Sequence, residues 1–225
     1  MVNPYSTGAC IAREISKRTF NVVALWTKKV SEALKESCSD LKVFASVQEQ
    51  DTLEETLAAV RDAAKPYRVI ACICGGEEGT ALTDALSEKL GVRTNGTQIK
   101  NRGNKKFQQD AIKEAGLRSI RQASGTKFSD VEEFLLNEKY PVVVKPSESI
   151  ISDGVKLCHN IEEAKEHFEF LLTLQQKDGN DSCVLCQEFL KGKEYIVDHV
   201  SRDGLHKTAS KYPDRDSRLS AFHSV

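Results

Sequence analysis

The sequence predicts an α/β protein in two parts, a parallel-sheet domain in front and a smaller mixed α+β unit behind. Between Ser6 and Gly91 short apolar strands alternate with helices of about ten residues, which implies a parallel sheet covered on both faces. After Pro141 the pattern changes to strand, helix, strand and strand, the content of a compact α+β unit. The length of 225 residues supports both parts only in reduced form, since at about 150 residues per domain it amounts to about one and a half domains.

In the front part, Ser6 or Thr7 is placed to cap a helix through Arg18, and Phe20 to Trp26 reads as a strand. Lys28 to Glu36 is helical and Lys42 to Val47 a second strand. Asp51 is the expected cap of a helix carrying Leu53, Leu57 and Val60, with Glu54 and Glu55 in a first turn that favours carboxylates. Tyr67 to Cys74 follows as a strand, Gly75-Gly76 ends it, and Glu77 to Leu90 is the next helix. Ligands of such sheets sit at the carboxyl ends of the strands, near loops like Pro4 to Gly8 and Gly75 to Gly79. The loop from Asn3 to Gly8 ordinarily follows a buried strand, yet only Met1 and Val2 precede it, so the leading strand is expected to be missing.

Gly91 to Gly96 is turn chemistry, and a domain boundary is placed near Thr97. A helix from about Lys105 stops at Gly116, Arg118 to Ala123 is a strand, and Ser129 is the expected cap of Val131 to Glu138. Val142-Val143-Val144-Lys145 is a buried strand with a lysine at its end. Ser147 to Gly154 is a polar loop, Val155 to Cys158 a short strand, Asn160 the cap of a helix to about Gln175, and Cys183 to Phe189 a strand. Glu194 to Val200 and Leu205 to Lys211 flank Asp203-Gly204, a strong hairpin signal. The expected layout is therefore 1–97, 98–211, and a polar tail over 212–225.

Composition narrows the function classes. With 32 Lys+Arg against 33 Asp+Glu the net charge is −1, so no global field draws the chain to nucleic acid or an anionic bilayer. Any anion must be held by a local site. The longest apolar runs are strand-length, well below the roughly 18 residues of a membrane span, and the first residues lack the features of a secretory signal. A cytoplasmic protein is the expectation. Seven cysteines, an odd number in a chain of this size, suit reduced core thiols better than a disulfide framework. Cys183-Val184-Leu185-Cys186 has metal-site spacing, but on a strand its two thiols point to opposite faces. His199 and His206 could face each other across the hairpin, without an evident third ligand.

The most informative set is Lys106, Lys145, the loop from Pro146 to Gly154, and Gln187-Glu188-Phe189-Leu190-Lys191-Gly192-Lys193-Glu194. A lysine ending a buried strand beside a loop able to cover a ligand suits a phosphate: it is a point charge with three donors. Phe189 and Leu190 ending one strand, with Glu194 opening another, suit a purine pocket with a carboxylate for the ribose. The plainer alternatives are a solvated strand-end lysine and an ordinary strand-turn-strand with two surface acids.

Together, Val142-Val143-Val144-Lys145-Pro146, Ser152-Asp153-Gly154-Val155-Lys156-Leu157 and Gln187 to Glu194 resemble the ATP-grasp superfamily, and within it the carboxylate-amine ligases of the amino-acid ligase type. Asn3 to Gly8, Gly75-Gly76-Glu77-Glu78-Gly79 and Leu90 to Thr97 resemble the Rossmann-like domain that precedes the grasp in these proteins. The likeness runs from about residue 3 to about residue 210. It implies that ATP phosphorylates a small carboxylate and that an amine then attacks the acyl phosphate. By position, Lys106 and Lys145 would touch the phosphates, with Ser149, Ser152 and Gly154 in the loop over them. The main chain of Glu188 and Leu190, beside Gln187 and Phe189, would meet adenine, and Glu194 the ribose. Magnesium is expected for the family, but its ligands there lie beyond the hairpin, and neither Asp214 nor Asp216 is assigned in their place. The loop also departs from the usual pattern, because Ile150-Ile151 stands where small residues let main-chain N–H groups approach phosphate. A non-catalytic, truncated nucleotide binder is therefore the alternative. A dinucleotide-dependent oxidoreductase ranks lower, since Ser6-Thr7-Gly8-Ala9 offers a single glycine. The oligomeric state is open, a homo-oligomer included.

Overall fold

The computed structural model describes residues 1–97, 100–147, 154–177, 183–193 and 195–213. The chain divides into two compact units, 1–99 and 100–225.

The first unit contains α1 (Thr7–Lys17), β1 (Val23–Trp26), α2 (Glu32–Glu36), β2 (Ala45–Gln48), α3 (Leu53–Ala63), a 3-10 turn at Glu77–Gly79, and α4 (Thr80–Leu90). β1 and β2 are parallel, Val23 opposite Ala45 and Trp26 opposite Gln48. Val2 bridges in parallel to both Leu25 and Cys74. The Cys74 bridge is made by Val2 N–H to the Ile73 carbonyl at 2.9 Å and Gly75 N–H to the Val2 carbonyl at 2.7 Å, and the Leu25 bridge by Leu25 N–H to the Met1 carbonyl at 2.9 Å and Asn3 N–H to the Leu25 carbonyl at 2.8 Å. The segment expected as a strand over Tyr67 to Cys74 thus reduces to one bridge at Cys74, because the residues beside it are Met1 to Asn3 and a ladder needs consecutive partners. Alternation along β1 builds the two faces. Leu25 packs with Val2, Leu57, Val60 and Leu86 under α3 and α4, and Ala24 and Trp26 pack with Ala9, Val30 and Cys38 under α1 and α2.

Two caps differ from expectation. Thr52, not Asp51, starts α3: its hydroxyl accepts from Glu55 N–H while the Glu55 carboxylate accepts from Thr52 N–H. Asp51 instead pairs with Lys28 at 2.6 Å. Ser6 precedes α1 at φ 49° without a side-chain cap bond. The loop that enters α1 is held from within, since Asn3 is fully buried. Its Oδ1 accepts from Thr27 N–H at 2.8 Å and its Nδ2 donates to Thr27 Oγ1 at 2.9 Å.

The second unit contains α5 (Lys100–Gly103), α6 (Lys105–Glu114), β3 (Gln122–Gly125), a 3-10 turn at Phe128–Asp130, α7 (Glu132–Asn137), β4 (Val142–Pro146), β5 (Lys156–Cys158), α8 (Ile161–Lys177), β6 (Val184–Glu188), β7 (Tyr195–Arg202) and β8 (Leu205–Pro213). The sheet order is β3-β6-β4-β5, antiparallel throughout. One face carries Val142, Val144, Cys158, Val184 and Cys186 against Val131 and Leu135 near α7 and Ala164, Phe168 and Leu171 of α8. Ser129 does not cap α7. Asp130 accepts from Thr126 and Lys127 N–H at 3.1 and 3.0 Å and folds the 3-10 turn ahead of that helix. Asn160 does cap α8, its Oδ1 accepting from Glu163 N–H at 2.8 Å. β7 and β8 form a separate hairpin whose turn puts Asp203 at φ 51° and Gly204 at φ 75°, the left-handed pair that an Asp-Gly turn supplies.

All seven cysteines are free thiols; Cys38, Cys158 and Cys186 are core residues as expected, whereas Cys10 is exposed. No helix among the described residues is long and apolar enough to cross a membrane.

Asn3 anchors the loop after the first bridge to the loop after β1, so Asn3→Ala leaves the buried Thr27 N–H and hydroxyl unpaired. Urea unfolding of this variant should show a loss of about 1–3 kcal/mol. An unchanged midpoint would refute the anchoring role.

Candidate functional site

Lys145 is the penultimate residue of β4 and stands opposite Leu185 of β6. It lies on the sheet face opposite Val142 and Val144, the face approached by α6. Among the described residues no carboxylate or carbonyl pairs with its ammonium. Burial, reinforced by the nearby positive charge of Lys105, lowers its pKa from 10.5 to about 8. Two residues on, Ser147 is fully buried and its Oγ has no hydrogen-bond partner among the described residues. The Ser147 main chain is fixed at both polar atoms, N–H donating to the Cys183 carbonyl at 3.0 Å and carbonyl accepting from Lys105 N–H at 3.3 Å. A half-buried cation with no anion among the described residues, with a second cation and a buried hydroxyl beside the same strand end, could hold an anion.

Lys106 lies in the first turn of α6, which Asn104 caps by accepting from Lys106 and Phe107 N–H at 3.0 and 3.4 Å. Its ammonium is engaged with Asp110 at 2.7 Å, one turn along the helix. That partly exposed pair is weak enough to exchange for a phosphate. The Lys106 carbonyl accepts from Gln122 Nε2 at 3.1 Å, and Gln122 Oε1 accepts from Gln187 Nε2 at 2.8 Å. The Gln187 side chain is therefore spent inside the fold, tying β6 through β3 to the start of α6.

Glu188 ends β6 and is 6% exposed, so it is not one of two surface acids. Its Oε1 lies 2.8 Å from Arg118 and its Oε2 2.7 Å from Arg121. Arg121 also grips Glu138 with Nε and Nη2, both at 2.8 Å. That grip, with the Lys139 N–H, holds the Glu138 carboxyl down at about 2. Phe189 is half-buried and Leu190 exposed. Gly154 sits at φ 71°, its carbonyl 2.9 Å from His167 Nε2, and a Cβ there would come within 3.1 Å of Pro146. The two ends of the Pro146 to Gly154 loop thus lie together. Ser149, Ile150, Ile151, Ser152, Glu194, Asp214 and Asp216 lie outside the described residues.

Other candidates do not gather. His199 pairs with Thr208 and His206 with Ser201, so the two histidines do not face each other. Burial pushes the Cys158 and Cys186 thiols up to about 11 and about 12, which makes them inert. Among the described residues no three His, Cys, Asp or Glu side chains are grouped to hold a metal ion. Arg118, Arg121, Glu138 and Lys105 carry no pattern in the sequence that assigns them to a site. The spacing of Arg118 and Arg121 was visible, but nothing local marked Glu188 as their common partner.

An antiparallel sheet with a loop-flanked lysine, following an α/β domain, fits the ATP-grasp type that the sequence resembles. Residues 103–211 match the family described as phosphoribosylglycinamide synthetase, ATP-grasp (A) domain. Dapdiamide A synthase of Enterobacter agglomerans is 32% identical over 162 residues, which cover 70% of this chain and 38% of that protein. The fold is shared with the L-amino acid ligase from Bacillus licheniformis, at a TM-score of 0.70 and 18% identity over 91% of this chain and 49% of that one. It is shared also with the N5-carboxyaminoimidazole synthetase from Staphylococcus aureus complexed with ADP, at a TM-score of 0.67 and 16% identity over 98% of this chain and 59% of that one. Residues 103–211 thus carry an ATP-grasp domain match, and the chain, which is similar to these ligases, spans about two-fifths to three-fifths of their length.

The depressed pKa of Lys145 has a stability consequence of definite sign. Between about 8 and 10.5 the unfolded lysine holds a proton that the folded one has released, so unfolding takes up protons and stability rises with pH. In that window wild type should gain stability relative to Lys145→Met. Parallel denaturation profiles of the two proteins would contradict the burial of an uncompensated ammonium.

Proposed function

We propose that the second unit binds ATP and that the chain supplies the nucleotide-binding part of a ligase that joins a small carboxylate to an amine. The observation that carries the reading is the half-buried Lys145 ammonium, which has no anionic partner among the described residues and sits with the unpaired Ser147 hydroxyl at one strand end. A phosphate oxygen would satisfy both. Lys106 would join by leaving Asp110, and the loop carrying Ser149, Ser152 and Gly154 would lie over the phosphates. The purine would meet the main chain of Glu188 and Leu190 beside Phe189, with Gln187 holding the strand and Glu194 taking the ribose. The division into a front domain over 1–97 and a partial grasp over 98–211 belongs to the same reading.

The reaction in this reading has two steps. A carboxylate oxygen forms a bond to the terminal phosphorus of ATP as the bond to the ADP oxygen breaks. The amine nitrogen then forms a bond to the acyl carbon as phosphate departs, and the nitrogen loses a proton. Lys145 and Lys106 would stabilise charge on the transferring group and position it. When bound, magnesium would neutralise phosphate charge, but the described residues gather no carboxylate set to hold it, so no step is assigned through it. The second reading is a chain that binds nucleotide without turning it over.

Calorimetric titration with ATP should show binding that Lys145→Ala weakens by about tenfold to a hundredfold, the size of a charge-assisted hydrogen bond. Affinity should fall as pH rises through about 8, where Lys145 loses its proton, and Lys145→Ala should abolish this dependence. Release of phosphate in the presence of magnesium and a panel of amino acids, lost in Lys145→Ala, would exclude the non-catalytic reading. Absence of binding at millimolar ATP would sink both.

A further inference from the structure

We propose that the Glu188 carboxylate is a positioning residue for the nucleotide base: by binding the Arg121 N–H it keeps the Glu188 main-chain carbonyl out of the β-ladder and open to the 6-amino group of adenine. The inference rests on the ATP-binding reading above.

Gln122 to Gly125 pair with Gln187 to Val184 in antiparallel register, so Arg121 is the residue opposite Glu188. Half of that pair is made, Glu188 N–H donating to the Arg121 carbonyl at 3.0 Å. Such a pair ordinarily exchanges a second bond, from Arg121 N–H to the Glu188 carbonyl. Here the Arg121 N–H donates at 2.8 Å to Oε1 of the Glu188 side chain. An ionised carboxylate is the stronger acceptor. Arg118 and Arg121 keep it in place at 2.8 and 2.7 Å. The ladder accordingly stops at Gln122, and Arg121 lies outside β3.

The N–H and C=O of one strand residue face the same edge. The Glu188 carbonyl therefore points toward the β3 side, where its usual donor has been removed, and not toward Val142 on the β4 side. Two residues on, the Leu190 N–H makes no hydrogen bond among the described residues. An acceptor followed by a donor on one edge matches adenine, which offers its 6-amino donor beside the N1 acceptor. Guanine presents the opposite order at these positions, an acceptor at O6 beside an N1–H donor.

The test uses ATP, the analogue lacking the 6-amino group (purine riboside triphosphate) and inosine triphosphate, each titrated into wild type, Glu188→Ala and Glu188→Gln. Wild type should prefer ATP over the 6-hydrogen analogue by about tenfold, the worth of one hydrogen bond. Glu188→Ala should bring that ratio close to one, because Arg121 N–H then closes on the carbonyl. Glu188→Gln, whose amide oxygen still accepts from Arg121, should retain most of the preference. A readout without nucleotide is the NMR coupling across a hydrogen bond from the Arg121 amide nitrogen to the carbonyl carbon of residue 188, absent in wild type and present in Glu188→Ala. A 6-amino preference unchanged in Glu188→Ala, or no new coupling there, would overturn this proposal alone. Failure of wild type to bind ATP would overturn the ATP reading and this proposal with it. If Glu188→Ala does not fold, loss of the preference in a folded Glu188→Gln is the overturning result.

Discussion

The second unit depends on the register of β6. The strand is hydrogen-bonded on both edges, to β3 and β4, and buried from Val184 to Glu188. Val184 and Cys186 face the core under α8, and Leu185 and Gln187 face α6. A slip of one residue would exchange those sets and drive the Gln187 amide into an apolar core while exposing Val184 and Cys186 to polar neighbours. The same slip would move Leu185 from opposite Lys145 and Glu188 from opposite Arg121. Core packing thus fixes where Lys145 and the Arg121–Glu188 pair stand, and the Gln122–Gln187 amide pair locks the choice at 2.8 Å.

Two charges next to this strand are treated in opposite ways. The Glu188 carboxylate is buried with full compensation from two guanidinium groups and a main-chain N–H, the condition under which a buried charge is tolerated. The Lys145 ammonium is half-buried beside another lysine, and its lowered pKa records the unmet cost. Folding gains nothing from leaving a cation in that state. The difference between a compensated and an uncompensated charge could not be read from residue type, since both are ionisable residues at strand ends.

What was legible in the sequence follows the range of the interactions. The apolar run ending in Lys145, the Asn160 cap and the Asp203-Gly204 turn are local patterns, and each occurs as expected. The cap of α3 was missed by one residue because Asp51 and Thr52 are both good capping residues, and only the reciprocal bond with Glu55 and the pull of Lys28 on Asp51 separate them. Tyr67 to Cys74 has strand composition, but strand geometry requires a partner, and composition is blind to that. The Arg121–Glu188 contact joins residues 67 positions apart. Its consequence, a ladder shortened by one bond, depends on a side chain competing with a backbone carbonyl, for which the sequence carries no pattern.

In the ATP-binding reading proposed above, the spacing along β6 would link base recognition to phosphate recognition. Leu185 marks the level of Lys145 and Glu188 the start of the hinge, three residues apart and so separated by about 10 Å along an extended strand. That separation suits an extended nucleotide lying across the strand ends with its base at the hinge and its phosphates at the lysine. In that reading one strand register would set both contacts, since Leu185 and Glu188 are fixed by the same pairing with β4. Phosphoryl transfer asks for more: an acceptor carboxylate held in line and neutralisation of charge on the terminal phosphate. Those requirements draw on groups that β6 does not order. In the proposed reading nucleotide affinity and turnover would therefore be separable, the first set by the register of one buried strand and the second by groups that this register does not fix.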